Sequence, residues 1–102
     1  MSYPFEPCSD GIMLYIENVQ VGGESIAILI DESQQARISS VTYVWQYRLM
    51  NAKPCVVASV YRNKKPTVLF LEQYLLGVRE KDEVIFLNGN RLDFRLHNLK
   101  KK

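Results

Sequence analysis

Long apolar runs are missing from this chain. The longest, such as Ile26-Ala27-Ile28-Leu29-Ile30, are far too short to span a bilayer, so no membrane partner is expected. Cysteine is scarce. Cys8 and Cys55 stand alone, without a CxxC or a histidine at ligand spacing, which fits free thiols in a reducing compartment. Histidine is scarcer still, with His97 the single imidazole. No Gly-rich phosphate loop, nucleophile elbow, metal-ligand spacing, internal repeat or low-complexity segment occurs. Neither a cofactor nor a metal is therefore expected. Met1-Ser2-Tyr3-Pro4-Phe5-Glu6 lacks a basic region leading into an apolar one, so the expected location is the cytoplasm.

What is present is the composition of an ordinary globular fold, 47% hydrophobic and 24% charged over 102 residues. That length suits one domain, residues 1–102, around one core. The net charge of +2 hides an asymmetry. Residues 1–40 hold six acids and one base, giving −5, whereas residues 41–102 hold twelve bases and five acids, giving +7. A basic C-terminal portion is suited to a phosphate backbone.

The pattern along the chain predicts an α+β fold, mostly an antiparallel β meander with one or two short helices. Residues 1–11 read as an irregular lead-in because of Pro4, Pro7 and Gly11. Ile12 to Glu17 reads as a strand, and Val21-Gly22-Gly23-Glu24 as a turn. Ser25 to Ile30 is a β-branched apolar run expected to be a buried strand. Asp31 is placed to cap a short helical turn running to Arg37. Thr42 to Met50 alternates around Trp45 like a strand. Cys55 to Arg62 is another, set between turns at Asn51-Ala52-Lys53-Pro54 and Asn63-Lys64-Lys65-Pro66. A short helix is expected over about 69–76, stopped by Gly77. A charged loop, Arg79 to Glu83, then leads to a terminal strand, tight polar turn and second short strand over 83–102.

That last motif carries a resemblance. Val84-Ile85-Phe86-Leu87-Asn88-Gly89-Asn90-Arg91-Leu92-Asp93-Phe94-Arg95-Leu96-His97-Asn98-Leu99-Lys100 aligns without a gap to the VDHINGNxLDNRxxNLR motif of HNH homing endonucleases, including those fused to APETALA-type DNA-binding domains. Asn88, Gly89, Asn90, Leu92, Asp93, Arg95, Asn98 and Leu99 all carry that family's residue type. Ala27 to Asp31, Trp45, Val57 to Arg62 and Leu71 to Gly77 sit where that family has its earlier elements, so the resemblance covers residues 26–100. It implies a nuclease-like hairpin at the C-terminal end.

The same alignment implies that cleavage chemistry is lost. An HNH nuclease needs a general base and ligands that hold one divalent cation on the scissile phosphate. The base position is Phe86, and the preceding ligand position is Ile85. Neither hydrocarbon takes a proton or binds a hard cation. The His of the family's His-Arg helix is Glu72 here. The remaining ligand lies on a helix after the second strand, beyond Lys102, so the expected hairpin lacks that final metal-binding helix. Asn98 matches the middle Asn and reads as a tie across the turn. Asp93 reads as a partner of hairpin amides, Arg91 or Arg95. His97 reads as a surface or packing residue, and Glu80, Asp82 and Glu83 as a solvated acidic cluster. No catalytic residue and no enzyme activity are expected.

Two functions fit. The first is a non-catalytic nucleic-acid-binding protein on an HNH scaffold, of phage or mobile-element type, with DNA the expected partner. It would use Arg48, Arg62, Lys64, Lys65, Asn88, Asn90, Arg91, Arg95, Lys100 and Lys101. The alternative is a protein-interaction or inhibitor module, possible as a homodimer, docking through the apolar former active site at Ile85 and Phe86.

Overall fold

A computed structural model describes residues 3–79 and 81–102. Met1 and Ser2 of the expected lead-in, and Glu80 of the expected acidic cluster, lie outside the described residues. The fold is α+β: mostly antiparallel sheet with two short helices.

Eight strands form two sheets. The larger contains β1 (Phe5–Cys8), β2 (Gly11–Asn18), β3 (Ser25–Ile30), β4 (Gln46–Met50), β5 (Lys53–Arg62) and β6 (Lys65–Phe70). The smaller pairs β7 (Val84–Phe86) with β8 (Leu99–Lys101). On one side β2 pairs with β3 along its length. Its other side is shared: β1 takes the first half, and β4 runs parallel to Glu17 and Asn18. β4, β5 and β6 then continue as an antiparallel meander.

The alternating strands explain the core. Ile12, Leu14 and Ile16 of β2, Ile28 and Ile30 of β3, and Val56, Ala58 and Val60 of β5 point inward at period two. Trp45 and Phe94 are the largest fully buried side chains. Two helices cover this face. α1 (Gln35–Ser40) buries Ile38, and α2 (Leu71–Leu76) buries Leu71 and Leu75. Arg37 staples them together. Its Nη1 donates to the Leu75 carbonyl, its Nη2 to the Tyr74 carbonyl (both 3.1 Å), and its guanidinium lies over the Tyr74 ring. These carbonyls belong to the unpaired last turn of α2, where a cation is doubly favoured.

Several expectations need correction. The lead-in is not irregular throughout, because Phe5–Cys8 forms β1 against β2. Its strand character is hidden in the sequence because all four residues are exposed. The hairpin depends on Gly11, where a Cβ would collide with the Ile30 carbonyl oxygen. Residues 42–45 are not strand, and β4 starts only at Gln46. The helix expected from residue 69 starts at Leu71, since Leu69 and Phe70 still pair with Ala58 and Val57. Finally, Asp31 stands at the start of a 3₁₀ turn, Glu32–Gln34, without capping it. Its Oδ2 instead accepts the Leu96 amide at 2.7 Å.

The turns at Asn51-Ala52 and Asn63-Lys64 each put both residues at positive φ. This is the type I′ geometry that matches strand twist in two-residue hairpins. Both expected turns were drawn too long, since Lys53-Pro54 and Lys65-Pro66 already belong to strands.

Candidate functional site

The C-terminal segment is not a tight hairpin. Twelve residues, Leu87 to Asn98, separate β7 from β8 and fold into a hydrogen-bonded loop. Gly89, at φ 78°, closes the first turn by donating to the Phe86 carbonyl. The Asn88 Oδ1 accepts from the Asn90 amide and from Asn98 Nδ2, and the Asn90 Oδ1 accepts from the Leu92 amide. Asn98 is buried and also ties Asn88 N–H and the Asp93 carbonyl together. Its expected role as the tie across the turn is the one observed. His97 is exposed.

Asp93 is the electrostatic centre of this loop. It is 1% exposed, yet its carboxylate takes 2.9 and 2.7 Å bonds from Arg95 Nε and Nη2. Asn88 Nδ2 and the Arg95 amide complete the set. The Arg95 hydrogen bonds hold its pKa below the usual carboxylate value against the opposing effect of burial. Arg91 turns elsewhere. Its Nε donates to the Pro54 carbonyl at 3.0 Å, and its guanidinium lies 5.1 Å from the Phe86 ring centroid.

Glu72, Ile85 and Phe86 converge around this Arg91. Glu72 lines a cleft of about 290 Å³ with two further acids, Asp82 and Glu83, and with Lys53, Lys81 and Arg91. Ile85 and Phe86 line an adjoining recess of about 280 Å³ that shares Val84 and Arg91. Phe86 is only 8% exposed and packs edge-on to Phe94, whereas Ile85 is 40% exposed. Among the described residues, no three His, Cys, Asp or Glu side chains gather to hold a metal.

Glu72 is buried at the first turn of α2. Burial raises its pKa, and its own backbone amide and Arg91 offset that in part. A raised carboxyl pKa means that the folded state binds the proton more tightly than the unfolded chain. Stability from this group is then present at low pH and lost as pH rises through the folded pKa. Glu72→Gln should therefore melt above the parent near pH 7. The two melting curves should coincide near pH 4, around the ordinary Glu value. Thermal denaturation across that range measures it.

The expected nucleic-acid contacts separate into two groups. Asn88, Asn90, Arg91 and Arg95 are all engaged inside the loop or against β5. Lys101 lies 3.7 Å from Asp82 and Lys102 3.3 Å from Glu83, which partly neutralises the tail around exposed Lys100. Arg48, Arg62, Lys64 and Lys65 are different: all four are exposed on the β4–β6 meander, and so is Lys53.

The sequence carried a signal for this that the two-halves charge count missed. Residues 33–71 contain six bases (Arg37, Arg48, Lys53, Arg62, Lys64, Lys65) and no acid. Only Arg37 is used to join the helices. The other five flank the two ends of β5, Arg48 and Lys53 at one, and Arg62, Lys64 and Lys65 at the other. Nine strand steps separate them, roughly 30 Å. Duplex DNA offers a phosphate about every 3.4 Å per strand over such a length.

Comparison of the chain with protein-family models, with curated proteins and with solved structures finds no match. Among the described residues, no helix is long and apolar enough to cross a membrane.

Proposed function

We propose that this protein binds nucleic acid without cleaving it, through the cationic β4–β6 meander. The observation that carries the reading is the acid-free run from residue 33 to 71, whose five exposed cations lie on that meander. A surface of one sign attracts the phosphate backbone and releases its counterions. The C-terminal loop then serves as scaffold, since its arginines are bound within the protein.

A degenerate HNH ancestry is part of the same proposal. It is supported by the matched positions and by the meeting of Glu72, Ile85 and Phe86 around Arg91. The absence of cleavage follows from the chemistry of those side chains. Ile85 and Phe86 neither bind a cation nor take a proton. Glu72 shares its cleft with Asp82 and Glu83, but among the described residues these do not gather into a metal-holding group, and burial biases Glu72 toward its neutral form.

A second reading, a protein partner or a homodimer docking on the former active site, draws on exposed Ile85 and Leu87 at 40% and 58%. Burial of Phe86 removes the largest anchor that reading relied on.

The test is an electrophoretic mobility shift with duplex and single-stranded DNA at low and moderate salt, with Mg²⁺ present and intact substrate scored in the same lanes. The expected result is a shift that fades as salt rises, with all substrate intact. Cleavage would overturn the non-catalytic half. No shift at micromolar protein would move the weight to the protein partner.

A further inference from the structure

β5 outruns its neighbour. Its last partner on β4 is Val57, opposite Gln46, yet it continues to Arg62 and stays paired on the other side with β6 throughout. From Ala58 to Tyr61 no strand among the described residues covers its β4 side. The segment ahead of β4, residues 42–45, stands off there and leaves a recess of about 500 Å³. This is the largest of the three cavities described, and of its lining only Arg62 belongs to an expected function.

The walls of this recess have a definite chemistry. Tyr61 is 78% exposed, the most exposed large hydrophobic side chain among the described residues. Tyr43 lines the recess too, held by edge-to-face contacts to Trp45 and Tyr74. Thr42, Gln46 and Ser59 contribute polar side chains that take no hydrogen bond from any described residue. Arg62 lines the recess too, and Lys64 on the turn and Lys65 at the start of β6 follow, both exposed.

Resting on the nucleic-acid reading above, we infer that this recess takes one unpaired nucleobase, stacked on Tyr61, with its phosphate toward Arg62, Lys64 and Lys65. Each part of a nucleotide has a counterpart. An aromatic ring offers a stacking face that suits any base. Free amide and hydroxyl groups, with the uncovered strand edge, offer donors and acceptors to the base's own edge. The exposed cations Arg62, Lys64 and Lys65 meet the phosphate. A paired base is not accommodated, because its hydrogen-bonding edge and stacking faces are already occupied within the duplex. The preferred ligand is therefore single-stranded.

The experiment measures binding of a fluorescent ten-nucleotide oligothymidylate, of an abasic strand with the same phosphates, and of a duplex. It uses the full chain, Tyr61→Ala and Tyr61→Phe, each checked for an unchanged melting temperature. The expected result is about tenfold tighter binding of the base-bearing strand than of the abasic one, the range of one stacked base. Tyr61→Ala should erase that difference, and Tyr61→Phe, which keeps the ring, should retain it. A thymidine mononucleotide should compete with the oligonucleotide in the parent and lose that ability in Tyr61→Ala. Equal, salt-sensitive binding of both strands, unchanged in Tyr61→Ala, would overturn the base pocket and leave the phosphate-binding function standing. Failure of all three ligands to bind would overturn both.

Discussion

Asp93→Ala should destabilise the domain by about 3–5 kcal/mol, the range seen when one partner of a buried ion pair is removed. The side chain sits 1% exposed and accepts four hydrogen bonds, three from Arg95 and one from Asn88. The alanine leaves a guanidinium that is 17% exposed facing a void, and frees the Asn88 amide that helps hold the loop. A domain of this size is stable by roughly 5–15 kcal/mol in all, so the loss is a large share of the total. Urea denaturation would show the midpoint falling with little change in slope. Asp93→Asn, which keeps the shape and two polar atoms, should lose less. A pH series adds a signature. The depressed pKa of Asp93 gives stability that is present above the ordinary Asp value and lost as pH falls through the folded pKa. The alanine variant lacks this component, so its stability should depend less on pH in the acid range than the parent's. If Asp93→Ala unfolds at the parent's urea concentration, the loop is not the structural element described here.

The second large effect concerns binding. Lys64→Glu with Lys65→Glu should weaken nucleic-acid binding by about a hundredfold at low salt, since like charges set against a partner cost several kcal/mol. It should also lower the slope of log K against log salt by about two, one per lost phosphate contact. Both side chains are exposed, so stability should stay within about 0.5 kcal/mol of the parent. The informative contrast is with Arg91 and Arg95. Charge reversal there should unsettle the fold itself, because these arginines bond to Pro54 and Asp93. Intact folding with undiminished affinity in the double lysine variant would displace the interface from the meander. Titration by fluorescence anisotropy at several salt concentrations, paired with thermal melts, separates these outcomes.

The comparison between these two pairs of cations shows what a sequence carries and what it does not. Arg91 and Arg95 stand in an Asn- and Arg-rich motif, so reading them as phosphate donors is natural. Arg95 has its acid two residues away and was open to being paired. The acceptor of Arg91 is a carbonyl 37 residues back in the chain, which no local pattern predicts. Ser25 to Ile30 was legible to the residue because β-branched side chains buried at period two leave a clear trace. Phe5–Cys8 left none, since an exposed edge strand has no buried face to impose alternation, and Pro7 argued against it. Asn98 was readable because it stands where the resembled motif has its middle Asn, and an amide there can tie the loop. The uncovered end of β5 was not, because it depends on where β4 begins, a property of the pairing and not of either strand alone.

One feature of the C-terminal loop bears on how the chain reaches this state. β3 pairs with β2 on one side, and its other side meets the loop: Leu29 donates to the Leu92 carbonyl and accepts from the Phe94 amide. Sixty-two residues of sequence therefore lie between Leu29 and the Leu92 that shields it. During synthesis, β3 leaves the ribosome with that side bare, and it stays bare while the meander and α2 are being made. An unshielded β-branched strand is a template for pairing with another chain. That side of β3 is therefore covered at Leu29 only once the C-terminal loop has been made.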